Sequence, residues 1–106
     1  MVSSTDPAAM PYTLIDVRED WECEGGMIPT AHQVKLDDLP SALQMTQADF
    51  TRVYGFDKPD MDAPLIFYCR VGKRSAVAQY IARKLGYTDV RNYVGSWLEW
   101  AEEGAQ

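Results

Sequence analysis

The sequence predicts an α/β domain built on a mainly parallel sheet, and three observations lead to it. Leu65-Ile66-Phe67-Tyr68 is a short apolar run of strand formers that ends abruptly at Cys69. After a loop centred on Gly72, Ala76, Val77, Tyr80, Ile81, Ala82 and Leu85 recur at helical spacing. A further strand-like run over 90–94 follows Gly86. Strand, helix and strand thus alternate, the order that arises when helices cross over between parallel strands.

The other elements follow in chain order. Residues 12–16 read as a strand whose carboxyl end delivers Asp16-Val17-Arg18. Residues 19–24 form a short helical turn stopped by Gly25-Gly26, since glycine readily supplies the positive φ of a helix end. Residues 27–36 are extended, with a turn at Pro29. Asp37 or Asp38 caps a short helix running to Gln44. Thr46 caps the next, which reaches Tyr54 and turns Ala48, Val53 and Tyr54 toward the core. Residues 55–63 make a surface loop. Gly86 closes the long helix begun at Arg74, and a last helix after Gly95-Ser96 carries Trp97, Leu98, Trp100 and Ala101. Residues 1–11 are a short N-terminal segment and 12–106 a single domain.

Composition narrows the function classes. A chain of 106 residues, 46% hydrophobic, supports one core and not two. Its longest apolar run, 64–68, is far too short to span a bilayer, so no membrane role is expected. The first eleven residues lack the basic start and apolar centre of a secretory signal, and also the arginines of a transit peptide. Two cysteines do not make a disulfide framework. The expectation is a cytosolic monomer with at least one free thiol. Net charge is −6, yet Arg70, Lys73, Arg74, Arg83, Lys84 and Arg91 face a single acid, Asp89, between Cys69 and Arg91. Arg83, Lys84 and Arg91 read as a solvated helix face. Arg70, Lys73 and Arg74 crowd the six residues that start at Cys69, which argues for a small anionic ligand. Nucleic acid is not expected, because the remaining acidic surface repels phosphate.

Cys69 is the focus of that cluster. A cysteine at the end of a buried strand, before a tight loop and a helix, sits where open α/β sheets place ligands. Loop N–H groups can converge there and the helix N-terminus adds positive potential. Such surroundings bring a cysteine pKa from about 8.5 down to roughly 3.5–7.5. Gly72 suits a loop that needs positive φ or close backbone approach. The bland alternative is a buried small hydrophobe, but three cations in six residues are unusual company for one.

Four ordered motifs carry a resemblance: Asp16-Val17-Arg18; Gly26-Met27-Ile28-Pro29-Thr30-Ala31; Tyr68-Cys69-Arg70-Val71-Gly72-Lys73-Arg74-Ser75; and Gly95-Ser96-Trp97-Leu98-Glu99-Trp100. Together they resemble rhodanese domains over nearly the whole chain. Ser41-Ala42-Leu43-Gln44-Met45, the Cys69–Arg74 loop and the stretch 85–93 are most similar to the single-domain thiosulfate:glutathione sulfurtransferase group. The resemblance implies a three-layer rhodanese fold and a cysteine alternating between thiol and persulfide. It implies loading by thiosulfate or a persulfide donor and unloading by a thiol such as glutathione, or by cyanide. Cys69 is then the nucleophile. Arg70, Lys73 and Arg74 bind the anionic donor, and the N–H groups of Val71 to Ser75, Gly72 among them, hold the persulfide. No metal or organic cofactor is expected, since four metal ligands are not at hand. The sequence departs from the family's habit at Met27, where histidine is common, and at Thr30, where glycine is common. Residues 1–10 also leave room for at most a fragment of the strand and helix that usually precede the Asp-x-Arg strand.

Two other functions stay open at this point. A phosphatase or arsenate reductase of related fold uses a cysteine, five residues and an arginine, whereas here four residues separate Cys69 from Arg74. A non-catalytic interaction module usually lacks the loop cysteine. Other conspicuous residues receive structural roles: His32 as a surface or packing residue rather than a base, Cys23 as a thiol remote from Cys69, and Asp16 with Arg18 as a pair fixing the strand end. Trp100 belongs to the core, while Trp97 either packs there or lines the mouth of the site.

Overall fold

β3 (Leu65–Tyr68) is buried along its whole length. It lies between β1 (Thr13–Asp16) and β4 (Val90–Asn92), and β2 (His32–Gln33) completes the order β2-β1-β3-β4 with every pair parallel. A strand covered on both faces reads as a continuous apolar run, which is why Leu65 to Tyr68 shows no polar alternation. The computed structural model describes residues 12–104. Between the strands lie α1 (Asp20–Cys23), a 3-10 turn (Leu36–Asp38), α2 (Leu39–Ala42), α3 (Gln47–Tyr54) and α4 (Lys73–Lys84). α5 (Ser96–Glu99) and a π-helical turn (Trp100–Gly104) follow β4.

The two-residue period of the strands divides the core into two. Leu65 and Phe67 join Ile15, Phe50, Ala78 and Ala82 on the face covered by α2, α3 and α4. Ile66 and Tyr68 join Leu14 and Ile28 on the other, where Tyr12, Trp97 and Trp100 pack against them. Three layers result. The N-terminal segment 1–11, and any strand or helix fragment within it, lies outside the described residues.

Several local expectations need correction. On α4 the inward residues are Ser75, Ala78 and Ala82. Ala76 points out, and Val77 and Tyr80 are 49% and 63% exposed. Small residues three and four apart let the helix axis approach the sheet, and the larger stripe then has no room beneath it; Tyr80 instead meets the Lys84 ammonium. On α3, Ala48 and Val53 are exposed, and Phe50 fills the core with Tyr54 and Phe56 around its ring. Thr46 does cap α3, its hydroxyl accepting from the Asp49 N–H at 3.1 Å. Neither Asp37 nor Asp38 caps α2 with its side chain: the chain enters from a 3-10 turn, and Asp38 already has helical φ and ψ. A capping side chain needs the extended backbone that Thr46 has. β4 stops at Asn92, two residues short of Val94, because the chain turns there into α5.

Candidate functional site

β3 delivers Cys69 to the carboxyl edge of the sheet, where its side chain is 1% exposed. The loop then folds back over its own sulfur. The Gly72 N–H donates to Cys69 Sγ at 3.1 Å and the Ser75 N–H at 3.4 Å, and the Ser75 hydroxyl lies 3.5 Å away. Gly72 makes the turn possible. Its φ is +95°, and a Cβ there would stand 2.5 Å from the Val94 carbonyl oxygen, so both conformation and space exclude a side chain.

The loop is held from outside by β4 and α5. The Ser75 hydroxyl, with one proton to give, stands between two acceptors, Asn92 Oδ1 at 2.6 Å and Cys69 Sγ at 3.5 Å, and Asn92 Nδ2 donates to the Gly72 carbonyl at 3.3 Å. The Trp97 and Leu98 N–H groups donate to the carbonyls of Cys69 and Arg70 at 2.9 and 3.1 Å. Ser96, fully buried with φ +55°, accepts from the Cys69 N–H and donates its hydroxyl to the Tyr93 carbonyl. With the carbonyls tied outward, the N–H groups of the loop are left to point inward. A serine held at positive φ stores strain that the surrounding bonds must offset. Asn92 and Ser96 escaped the sequence reading, for they lie more than fifteen residues from the loop and only the parallel pairing of β3 with β4 brings them to it.

Burial by itself would raise the Cys69 pKa, but hydrogen bonds from the Ser75 hydroxyl and from the Ser75, Gly72 and Val71 amides outweigh it and hold the thiol below its ordinary value. The donors that matter are therefore mainly backbone groups. The three cations expected around the sulfur are arranged differently. Arg70 and Lys73 are exposed. Arg74 is clasped by Glu22, Nη1 to Oε1 at 2.6 Å and Nη2 to Oε2 at 2.8 Å. That bidentate bond, ahead of burial, which acts the other way, brings the Glu22 carboxyl down to about 2. Glu22 was also missed. Its one local signal is its place three residues after Glu19, whose N–H it accepts as in a capping box.

Asp16 and Arg18 form the expected strand-end pair. The guanidinium binds both carboxylate oxygens, with Nη2 to Oδ2 at 2.7 Å, and donates onward to the Gly26 and Glu22 carbonyls. It also lies 4.6 Å from the centre of the Trp97 ring. Trp97 both packs against the second core and lines a cleft of about 340 Å³ with Arg18, Trp21, Glu22, Gly25 and Arg70. A second cleft, of about 470 Å³, lies among Val71, Val94, Leu98, Glu99 and Glu102. His32 stacks on Phe56 at 3.9 Å on the edge strand, with β1 between it and β3. Cys23, in α1, is pushed up to about 11 by burial and then by the Asp16 carboxylate, with Arg18 opposing. Both cysteines are free thiols. No helix of the described residues is long and apolar enough to cross a membrane.

Comparison with known proteins agrees with this architecture. The chain is 45% identical over 91 residues to the human thiosulfate:glutathione sulfurtransferase, covering 85% of this chain and 79% of that one. It is 41% identical over 90 residues, 85% of its length, to a mitochondrial protein of Schizosaccharomyces pombe, of which it spans 63%. The structure of the human single-domain sulfurtransferase TSTD1 superposes with a TM-score of 0.86 at 42% identity, over 91% of this chain and 86% of that one. That of RDL2 from Saccharomyces cerevisiae does so with 0.80 at 38% identity, over 90% and 78%. Residues 4–103 match the family described as the rhodanese-like domain, and since that span takes in the sheet, the Cys69 loop and the helices clamping it, the chain belongs to that family.

Proposed function

We propose that this protein is a thiosulfate sulfurtransferase that carries sulfur on Cys69 and passes it to a thiol, glutathione in the first instance, or to cyanide. The observation that carries the proposal is the convergence of the Gly72 and Ser75 amides and the Ser75 hydroxyl on a single buried sulfur. Relatives named as thiosulfate and thiosulfate:glutathione sulfurtransferases support it.

The chemistry follows from the geometry. The Cys69 thiolate attacks the outer sulfur of thiosulfate; the S–S bond of the donor breaks and its electron pair leaves on sulfite. The outer sulfur stays on Cys69 as a persulfide, whose anion takes the place of the thiolate among the loop donors Val71 to Ser75. Arg70 and Lys73 draw in the dianionic donor, while Arg74, paired with Glu22, is not a free binding hand. In the second half-reaction an acceptor thiolate attacks the outer sulfur of the protonated persulfide. It departs with that sulfur as its own persulfide, and the electron pair of the broken S–S bond returns to Cys69. Two half-reactions through a covalent intermediate give ping-pong kinetics. The protein works as a monomer with small-molecule donor and acceptor. A reducing compartment such as the cytosol suits its two free thiols.

The test is intact mass after incubation with thiosulfate, followed by turnover with cyanide and glutathione. A gain of about 32 Da, one sulfur, that disappears on adding acceptor and is absent in Cys69→Ser is expected. No gain in the unsubstituted protein would sink the proposal.

A further inference from the structure

We propose that the cleft between Trp21, Trp97 and Arg70 seats the acceptor, a small peptide thiol with a free carboxylate; the inference rests on the sulfur-transfer reading above and assigns its second substrate a place. The two clefts beside the Cys69 loop differ in charge. Glu99 and Glu102 line the one on the Val71 side, where a carboxylate would be repelled. Arg18 and Arg70 line the other, and the carboxylate that lines it with them, Glu22, is already paired with Arg74. Within this second cleft the cations differ in turn. Arg18 is committed to Asp16, and Arg74, the partner of the lining residue Glu22, to that carboxylate. The Arg70 side chain is exposed and makes no ion pair or hydrogen bond among the described residues. A guanidinium left free where the other two arginines around it are paired is a fork for a ligand's carboxylate.

The apolar wall fits the same occupant. Trp21 leaves 73% of its surface in water on a four-residue helix whose half-buried residues are its neighbours Glu22 and Cys23. An indole so placed serves recognition better than stability. Trp97 faces the cleft from α5, and Gly25 closes it without a side chain; a Cβ there would meet only the Glu22 carbonyl, at 3.9 Å. At about 340 Å³ the space is at the small end of ordinary ligand sites, right for a tripeptide and too small for a folded partner. Arg70 follows Cys69 directly in the chain, so a carboxylate held there keeps the acceptor beside the loop that bears the transferable sulfur. The transfer is the second half-reaction given above, with no additional reactant.

The test is steady-state kinetics at saturating thiosulfate with glutathione, glutathione ethyl ester and cyanide as acceptors. Cyanide needs no peptide seat. Trp21→Ala, which empties the wall, and Gly25→Leu, which fills the cleft, are each expected to raise the KM for glutathione roughly tenfold. Cyanide turnover should stay within about twofold in both, as no cleft contact is involved. Arg70→Ala is expected to abolish the preference for glutathione over its ester. Unchanged glutathione KM in both cleft variants would overturn the assignment while cyanide turnover kept the sulfur-transfer reading alive. A parallel fall with cyanide would also overturn it, as damage to the loop itself. Absence of turnover with every acceptor in the unsubstituted protein would remove the sulfur-transfer reading, and the inference with it.

Discussion

Cys69 and Cys23 are the same side chain in two regions of one small domain, and burial acts on both in the same direction, against the thiolate. At the end of β3 the loop answers burial with hydrogen-bond donors, and the thiol comes out below its ordinary value. In α1 burial acts first and the Asp16 carboxylate adds to it more than Arg18 offsets, so the thiol rises to about 11. Burial alone therefore makes a cysteine inert, while burial inside converging donors makes it a nucleophile. The difference lies in backbone direction: a strand-to-helix loop turns N–H groups inward, whereas in the single turn of α1 the Glu22 and Cys23 N–H groups are spent on the Glu19 carbonyl.

The two regions should differ most at the sulfur atoms. Cys69→Ser is expected to remove turnover altogether and Cys23→Ser to leave it within a few-fold, both measured with thiosulfate and cyanide; equal losses would mean that the two regions are not functionally distinct. Next in size is Gly72→Ala. An alanine at φ +95°, set against the Val94 carbonyl, costs of order 1–3 kcal/mol in strain alone. For a domain of this size that is a fall in melting temperature of at least about 4 °C, together with lost activity as the amide swings off the sulfur.

A subtler change is Ser75→Ala, which deletes the hydroxyl and leaves the amide. The Cys69 pKa should move up toward its ordinary value, read as a shift to higher pH in the rate of alkylation by iodoacetamide. An unmoved profile would mean that the amides alone hold the thiolate. The smallest effect concerns Glu22. Its carboxyl is brought down to about 2 from 4.5, so the ion pair with Arg74 contributes its full stability above the unfolded value and loses it as pH falls toward the folded one. Urea midpoints should therefore drop between about pH 5 and about pH 2. In Glu22→Gln that drop should be smaller, with little difference from the parent at low pH.

Much of this was legible in the residues. Leu65 to Tyr68 read as a buried strand, and a cysteine, a glycine and a helix start in close succession after it as a tight loop. Thr46 announced the start of α3. The faces of α3 and α4 were less legible. Helical spacing marks apolar positions without saying which stripe is inward, and the choice of Ser75, Ala78 and Ala82 over Val77 and Tyr80 depends on how near α4 lies to the sheet. Arg74 misled in another way: three cations beside a cysteine look alike in sequence, and one of them had a partner fifty-two positions away.

By itself the sequence determined that this chain folds as strands alternating with helices and singled out Cys69 as the candidate reactive thiol, because short apolar runs, turn glycines and a reactive residue type are local facts. Tertiary structure alone decided that Asn92 and Ser96 hold the loop open to its sulfur, that Glu22 takes Arg74, and that Arg70 is left free beside two tryptophans. Those outcomes depend on which segments the parallel sheet sets side by side. Bonds between distant residues are selected by geometry after folding, and nothing in the local pattern encodes them.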